Sequence, residues 1–370
     1  MRRTCLCGAI LIGLSVARVE AQQNPQYESA TVSVPAASGD EPKLERVSVK
    51  LASKYLEDGA HVWSSERKCI SCHTNGSYLQ MRPALTDLLG KPSEEIRGFF
   101  VGQLEQFEKL EPAKLQESTR PAQVIYLAAG LSEWDAHVTK QLSPETGRAL
   151  KLMFDLQRPN GTWGALDCWP PFESDAYHLA TVAAMTAGTA PGWRDSLKDE
   201  ALQGKVKALQ HYLRTEKPPH DYSRVLLLWA STRMPDLWSG EKQQELVTIL
   251  RNHQRSDGGW SVRTFAAPDA WGKGNRAARL KGEKDFGNPE SDGHMTGLAV
   301  LVLRDAGVEA KDSGIEKGVA WLKQNQRNSG RWWTKSLNTD SWHFITYSGT
   351  CYPLLALYKC GALDQPRSTR

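Results

Sequence analysis

Cys69-Ile-Ser-Cys72-His73 sets two thiols three residues apart and follows them at once with an imidazole. Two sulfurs on one short turn can each form a thioether with a vinyl group of a porphyrin. The adjoining ring then sits under the iron, so C-x-x-C-H reads as an attachment site for a c-type haem. Cys69 and Cys72 are therefore expected to bind the cofactor covalently, with His73 as proximal iron ligand. A disulfide beside an imidazole, or half of a zinc site, would use the same residues, but no second Cys pair at zinc spacing completes the latter. The candidates for the sixth iron ligand are Met81 and the imidazoles of His178, His294 and His343, or the position stays open. Met81 follows His73 too closely to curl round a porphyrin to its opposite face, and packing near Tyr78 accounts for it.

The ends of the chain point to an exported protein. Residues 1–21 carry Arg2-Arg3, an apolar run from Cys5 to Ala17 and a small-x-small site at Val19-Glu20-Ala21, the pattern of a secretory signal peptide. A periplasmic or secreted location follows, which suits haem attachment. No segment after the signal approaches the ~18 consecutive apolar residues that span a bilayer. Residues 22–41 are polar and Pro/Ser/Ala-rich and read as a flexible leader, 42–361 as the folded domain with the haem motif at 69–73, and 362–370 as a disordered tail. Removing the signal and the haem thiols leaves Cys168, Cys351 and Cys360, enough for one disulfide and one thiol. A net charge of +4 on 370 residues gives no reason to expect nucleic acid as a partner.

The elements that must position the motif are legible as internal repeats. Gln157-Arg158-Pro159-Asn160-Gly161-Thr162-Trp163, Gln254-Arg255-Ser256-Asp257-Gly258-Gly259-Trp260 and Gln326-Arg327-Asn328-Ser329-Gly330-Arg331-Trp332 share Gln-Arg, a Gly-containing turn and a terminal Trp in one register. Each follows an amphipathic helical run and precedes an apolar run rich in small residues, so the unit is helix, turn, helix. Weaker copies extend the series to six pairs: 42–60 with 79–90, 94–109 with 120–136, 144–158 with 174–188, 198–214 with 221–233, 241–254 with 292–307, and 313–326 with 342–360. Six hairpins, each with an unburied apolar face, close into an all-α structure, an α6/α6 toroid. The charged first helices are expected outside and the small-residue second helices inside.

The Gln-to-Trp turns and small-residue second helices resemble the repeats of squalene-hopene cyclases and protein prenyltransferase β subunits, the terpenoid cyclase-like toroids, over residues 42–361. The resemblance implies that Gln157, Trp163, Gln254, Trp260, Gln326 and Trp332 are structural braces. It also implies an apolar, isoprenoid-like small molecule as ligand. It does not supply a reaction, because the Asp-x-Asp-Asp acid of the cyclases is missing and Asp167-Cys168 lacks the prenyltransferase zinc spacing. A zinc site from Asp167, Cys168, His178 and His343 is the remaining metal alternative.

Cys72-His73-Thr74-Asn75-Gly76-Ser77-Tyr78 aligns with Gln157 to Trp163, which puts the haem motif in place of one brace, on the rim where an outer helix turns into an inner one. On the same rim the inner helices begin near Ser174, Ser291 and Ser341, expected N-caps. His178, His294 and His343 follow these serines closely and are expected to converge on the mouth of a central pocket. The basic stretch from Ser261 to Pro289 reads as a loop, either solvated or attracting an acidic partner. Three functional readings follow. The first is an exported haem c protein doing redox or electron-transfer chemistry at the mouth of an apolar pocket, with a redox partner protein. The second is a cyclase- or prenyltransferase-like enzyme, or a lyase, without haem. The third is a non-catalytic toroid that binds a ligand or a protein.

Overall fold

The computed structural model describes residues 24–164, 169–173, 175–238 and 240–363. The signal peptide, Asp167, Cys168, Ser174 and nearly all of the expected tail lie outside the described residues. Twelve helices carry the architecture. Those at odd positions are α1 (Val49–Val62), α3 (Glu94–Phe107), α5 (Pro144–Asp155), α7 (Glu200–Thr215), α9 (Glu241–Asn252) and α11 (Ser313–Asn325). Those at even positions are α2 (Asn75–Met81), α4 (Arg120–Trp134), α6 (Ala176–Thr189), α8 (Asp221–Arg233), α10 (Gly293–Asp305) and α12 (Ile345–Lys359). The even helices pack in sequence, α2 on α4, α4 on α6, α6 on α8, α8 on α10 and α10 on α12, and α12 returns to α2, so the inner ring closes. Each odd helix packs against the even helix that precedes it around the ring, α1 on α12, α3 on α2, α5 on α4, α7 on α6, α9 on α8 and α11 on α10.

Burial follows the composition that separates the two kinds of helix. In α12 every residue from Ile345 to Leu357 is buried, as is every residue of α10 from Gly293 to Leu303. In α7 only one stripe, Leu202, Val206, Leu209, Gln210 and Leu213, is buried, the spacing of a single helical face. Among the described residues no helix is long and apolar enough to cross a membrane.

The Gln-Trp turns act as braces through hydrogen bonds. The indole N–H of Trp163 donates to the Met153 carbonyl at 2.6 Å, that of Trp260 to Leu250 at 2.8 Å and that of Trp332 to Leu322 at 2.7 Å. Each thereby satisfies a carbonyl in the last turn of its own outer helix, where helical partners run out. The Gln side chains link neighbouring repeats. Gln157 donates to the carbonyl of Lys205 and Gln254 to that of Gly314. Gln326 donates to Ser48 at 3.1 Å and accepts from its N–H at 2.6 Å, joining the last repeat to the first. Gly161 and Gly330 have φ of +83° and +87°. A Cβ at Gly161 would also stand 2.5 Å from the Ala208 carbonyl oxygen of the next outer helix, so the turn needs glycine on both counts. Replacing Gln326 with Ala leaves the Ser48 and Gly330 carbonyls without their amide and is expected to cost about 1–3 kcal/mol, read as a lower urea midpoint.

Several expectations are corrected here. The leader is not a free tether from Asn24 onward. Tyr27–Glu28 (β1) pairs antiparallel with Ser33–Val34 (β2), and Tyr27 is 3% exposed. Arg331 holds the segment with bonds to the Pro35 carbonyl at 2.8 Å and the Glu41 carboxylate at 2.6 Å. The inner-helix caps are Asp175, His220 and Asp292, while Ser291 bonds Asp257 instead. The basic stretch after Ser261 is pinned by ion pairs. Arg263 bonds Glu283 at 2.7 Å and the Lys335 and Ser336 carbonyls, and Lys281 pairs with Asp269. Much of its charge is thus met within the chain. Cys351 and Cys360 are both thiols and are not joined to each other, and Cys168 lies outside the described residues.

Candidate functional site

The motif lies between α1 and α2, where an outer helix turns into an inner one. α1 runs on into a π-helical turn at Trp63–Arg67, which Lys68 ends in a left-handed conformation. Asn75 then clamps the following loop. Its Oδ1 accepts from the Ser71 N–H at 2.9 Å, and its Nδ2 donates to the Cys69 carbonyl at 3.0 Å and to Ser64 Oγ at 3.1 Å. The expected alignment with a Gln-Trp turn does not hold. Asn75 and Gly76 form the first turn of α2, and Tyr78 donates to Glu57 at 3.0 Å instead of bracing an outer-helix carbonyl. Gly76 is needed for close approach, since a Cβ there would meet the Ser71 oxygen at 2.4 Å.

His73 reaches a cavity of about 470 Å³ at the mouth of the ring. Trp63, Trp169, Phe172, Trp342 and Phe344 supply its aromatic wall, and Arg67, Ser336, Asn338 and Thr339 supply polar groups. The imidazole stacks on Phe344 with ring centroids 5.0 Å apart and meets Trp63 edge-on at 4.7 Å. Its Nδ1 lies 2.9 Å from Thr74 Oγ1, and no described residue hydrogen-bonds to Nε2. Burial pushes His73 down to about 4, so the ring is neutral at physiological pH and Nε2 or Nδ1 carries a lone pair.

Behind Phe172 lies a second group of polar side chains at the centre of the ring. Phe172 packs edge-on against His178 and His294, at centroid distances of 6.1 and 5.6 Å. His178 Nε2 is 2.9 Å from the Tyr126 hydroxyl and His294 Nε2 is 3.0 Å from that of Tyr222. His294 Nδ1 is 2.8 Å from Ser348 Oγ, whose own proton goes to the Ile345 carbonyl. Nδ1 therefore bears the imidazole proton, and the Tyr222 hydroxyl donates to Nε2. Burial pushes His178 down to about 4 and His294 to about 3. It also pushes the phenols of Tyr126, Tyr222 and Tyr352 up.

Of the residues singled out in the sequence, His73 thus lines the cavity together with Phe172, and His178 and His294 pack against Phe172. Cys72 is buried, and Cys69 is partly exposed, its thiol raised by burial against the lowering effects of Trp63 and Arg67. His343 turns elsewhere, with Nδ1 accepting from the Ser336 N–H at 3.0 Å and its ring against Trp333. Met81 is 3% exposed in the apolar core and does not line the cavity. Among the described residues no three His, Cys, Asp or Glu side chains converge to hold a metal ion, and Asp167 and Cys168 of the zinc alternative lie outside them. Sequence reasoning missed Trp63, Phe172, Trp342 and Phe344. Phe172 and Phe344 each stand just ahead of an inner helix, whereas Trp63 directly follows an outer one.

Closed rings of six outer and six inner helices, with a cavity at one mouth, define an α/α toroid. Residues 239–361, the stretch from α9 to α12, match the family model of the squalene-hopene cyclase C-terminal domain. No curated protein matches the chain. Among solved structures, a polysaccharide lyase is similar with a TM-score of 0.49 at 12% identity, over 85% of this chain and 100% of that one. The type II terpene cyclase MstE from Scytonema is similar with a TM-score of 0.43 at 10% identity, over 84% of this chain and 100% of that one. A complex of a variant of that cyclase with geranylgeranyl dihydroxybenzoate gives 0.43 at 11%, over 85% and 98%.

Proposed function

We propose that this chain is a cyclase-like toroid enzyme that takes an apolar small molecule into the cavity against His73. The observation that carries this reading is the cavity itself: about 470 Å³, walled by five aromatic rings, with one neutral imidazole. Such a volume and lining suit a ligand with a long apolar body and few polar groups. The cyclase match over residues 239–361 supports the same ligand class. With no Asp-x-Asp-Asp acid in the sequence, protonation of an alkene by that tetrad is not part of the proposal. His73 is the group placed to exchange a proton with a bound molecule. Calorimetric titration with farnesol and geranylgeraniol tests the reading. Saturable binding is expected, at least tenfold weaker in Trp342→Ala and Phe344→Ala. Binding that does not saturate, or that both variants leave unchanged, would overturn it.

A second reading is a covalent haem c at the same mouth, and a specific observation favours it. Cys69 and Cys72 are thiols, not a disulfide, and His73 reaches the cavity while Thr74 engages its other nitrogen. The residue types match the chemistry of haem c attachment: the two sulfurs would hold the porphyrin and His73 the iron. When bound, the group supplies one-electron redox chemistry. The chain's own contribution is to fix the imidazole between Phe344 and Trp63 and to limit water around it. An exported protein, periplasmic or secreted, and a redox partner protein belong to this reading. It is tested by the pyridine haemochrome spectrum of denatured protein made with haem-maturation machinery. A signal that survives denaturation and disappears in Cys69→Ala/Cys72→Ala is expected, and wild-type protein lacking one would sink the reading.

A further inference from the structure

Two polar side chains of the cavity wall, Ser336 and Asn338, have hydrogen-bonding capacity that the chain itself leaves unused. Asn338 Nδ2 donates to the Pro170 carbonyl at 2.7 Å. A carbonyl can only accept, so this bond fixes which end of the amide is nitrogen, and Oδ1 is the end left over. That oxygen is buried and has no hydrogen-bond partner among the described residues. Ser336 is 4% exposed, and its Oγ accepts from the backbone N–H groups of Asn338 at 3.0 Å and Thr339 at 3.3 Å. Both lone pairs of the hydroxyl are thereby taken by groups that can only donate, and its own proton has no acceptor among the described residues. One loop of the cavity wall thus carries an acceptor without a donor and a donor without an acceptor.

We propose that the molecule taken into the aromatic cavity is an uncharged alcohol, whose hydroxyl donates to Asn338 Oδ1 and accepts from the Ser336 hydroxyl. The inference rests on the reading of the cavity as an apolar-ligand site and names the polar end of that ligand. A buried acceptor without a donor is costly, so a ligand that brings a proton gains more than one that only fits the walls. The same lining argues against a phosphorylated head group. Its one charged side chain is Arg67, which is exposed and lies over the Trp63 ring at 5.9 Å, and His73 is neutral. A single guanidinium in contact with water leaves most of the charge of a diphosphate uncompensated against an aromatic wall.

Calorimetric titration of the full-length protein, made without haem, compares farnesol with farnesyl methyl ether, which keeps the oxygen but has no proton to give, and with farnesyl diphosphate. The wild type is expected to bind farnesol about tenfold more tightly than the ether, and the diphosphate more weakly than farnesol. Asn338→Leu also loses the Pro170 bond, which affects both neutral ligands alike, so the farnesol-to-ether ratio is the readout and is expected to fall to about one. Ser336→Ala is expected to weaken farnesol and the ether together and to keep their ratio, because both carry the accepting oxygen. Equal binding of farnesol and the ether by the wild type, a ratio that Asn338→Leu leaves unchanged, or a diphosphate that binds more tightly than farnesol overturns the proposal. The first and third of these outcomes are read on the wild type and hold whether or not the variants fold. Saturable binding of farnesol without the preference over the ether leaves the cavity reading standing, whereas no saturable binding of any of the three defeats that reading and this inference with it.

Discussion

Trp332→Ala is expected to lower the unfolding free energy by about 3–5 kcal/mol, the range for removing a fully buried large aromatic side chain. The indole has no solvent exposure, and its N–H is the partner of the Leu322 carbonyl at 2.7 Å. The site has little room to relax, because the Trp332 backbone and Cβ are pressed against Gly293 at the start of α10, where an added Cβ would meet Trp332 Cβ at 2.4 Å. Collapse into the cavity would have to move α10 against α12, two helices packed along their length. Trp332→Phe separates the two contributions, since it keeps most of the apolar contact and loses the hydrogen bond, for an expected cost of about 1–3 kcal/mol. Trp169→Ala is the control. That side chain is 49% exposed, lies at the cavity mouth and is expected to change stability by less than about 0.5 kcal/mol. Urea unfolding of the three variants checks the order. A Trp332→Ala protein as stable as Trp169→Ala would mean that the braces do not hold the ring.

The braces were readable because they repeat, and repetition exposes a physical requirement three times over. The helix pairs were readable for a related reason: α7 shows its buried stripe at helical spacing, and α10 and α12 show the small apolar residues of an element buried all round. Asn75-Gly76 matches Asn160-Gly161 in residue type but not in conformation. Gly161 needs a positive φ, whereas Gly76 is a helical residue under the Ser71 oxygen, and the two glycines answer different constraints. At the site, His178 and His294 were legible because each follows a repeated helix start. His343 looked equivalent, but the Ser336 N–H holds its ring away from the other two. Phe172, Phe344 and Trp63 belong to no periodic pattern, and their convergence depends on how three separate rim segments fold. The burial of Tyr27 was hidden for the opposite reason: its surroundings in the sequence are polar, and the burial depends on Arg331, far along the chain, anchoring the segment.

The second large effect is a steep loss of stability in mild acid. Burial pushes His178 down to about 4 and His294 to about 3, against roughly 6.5 for an imidazole in the unfolded chain. As pH falls below about 6.5 the unfolded chain takes up these two protons and the native ring does not. The stabilisation is therefore complete above about pH 6.5 and declines as pH falls toward the folded values. Each imidazole contributes a slope of about 1.4 kcal/mol per pH unit, and the pair about 3. Asp292 acts in the opposite sense. Burial pushes its carboxyl up to about 6, so the native state takes up a proton before the unfolded chain does and recovers about 1.4 kcal/mol per unit between about pH 6 and 4. The two imidazoles prevail, and His73 and His343, both pushed down to about 4 by burial, act in the same direction. Between pH 6.5 and 5 the haem-free protein is expected to lose at least about 2 kcal/mol of a total that is typically only 5–15 for a folded domain. His178→Gln/His294→Gln keeps an amide near the Tyr126 and Tyr222 hydroxyls but cannot titrate, so its stability should vary less with pH by about two protons' worth. Urea unfolding at pH 7.5, 6.5, 5.8 and 5.0 measures both slopes. Equal slopes would mean that the two imidazoles already carry charge inside the folded ring, and the neutral tyrosine-paired arrangement behind Phe172 would have to be abandoned.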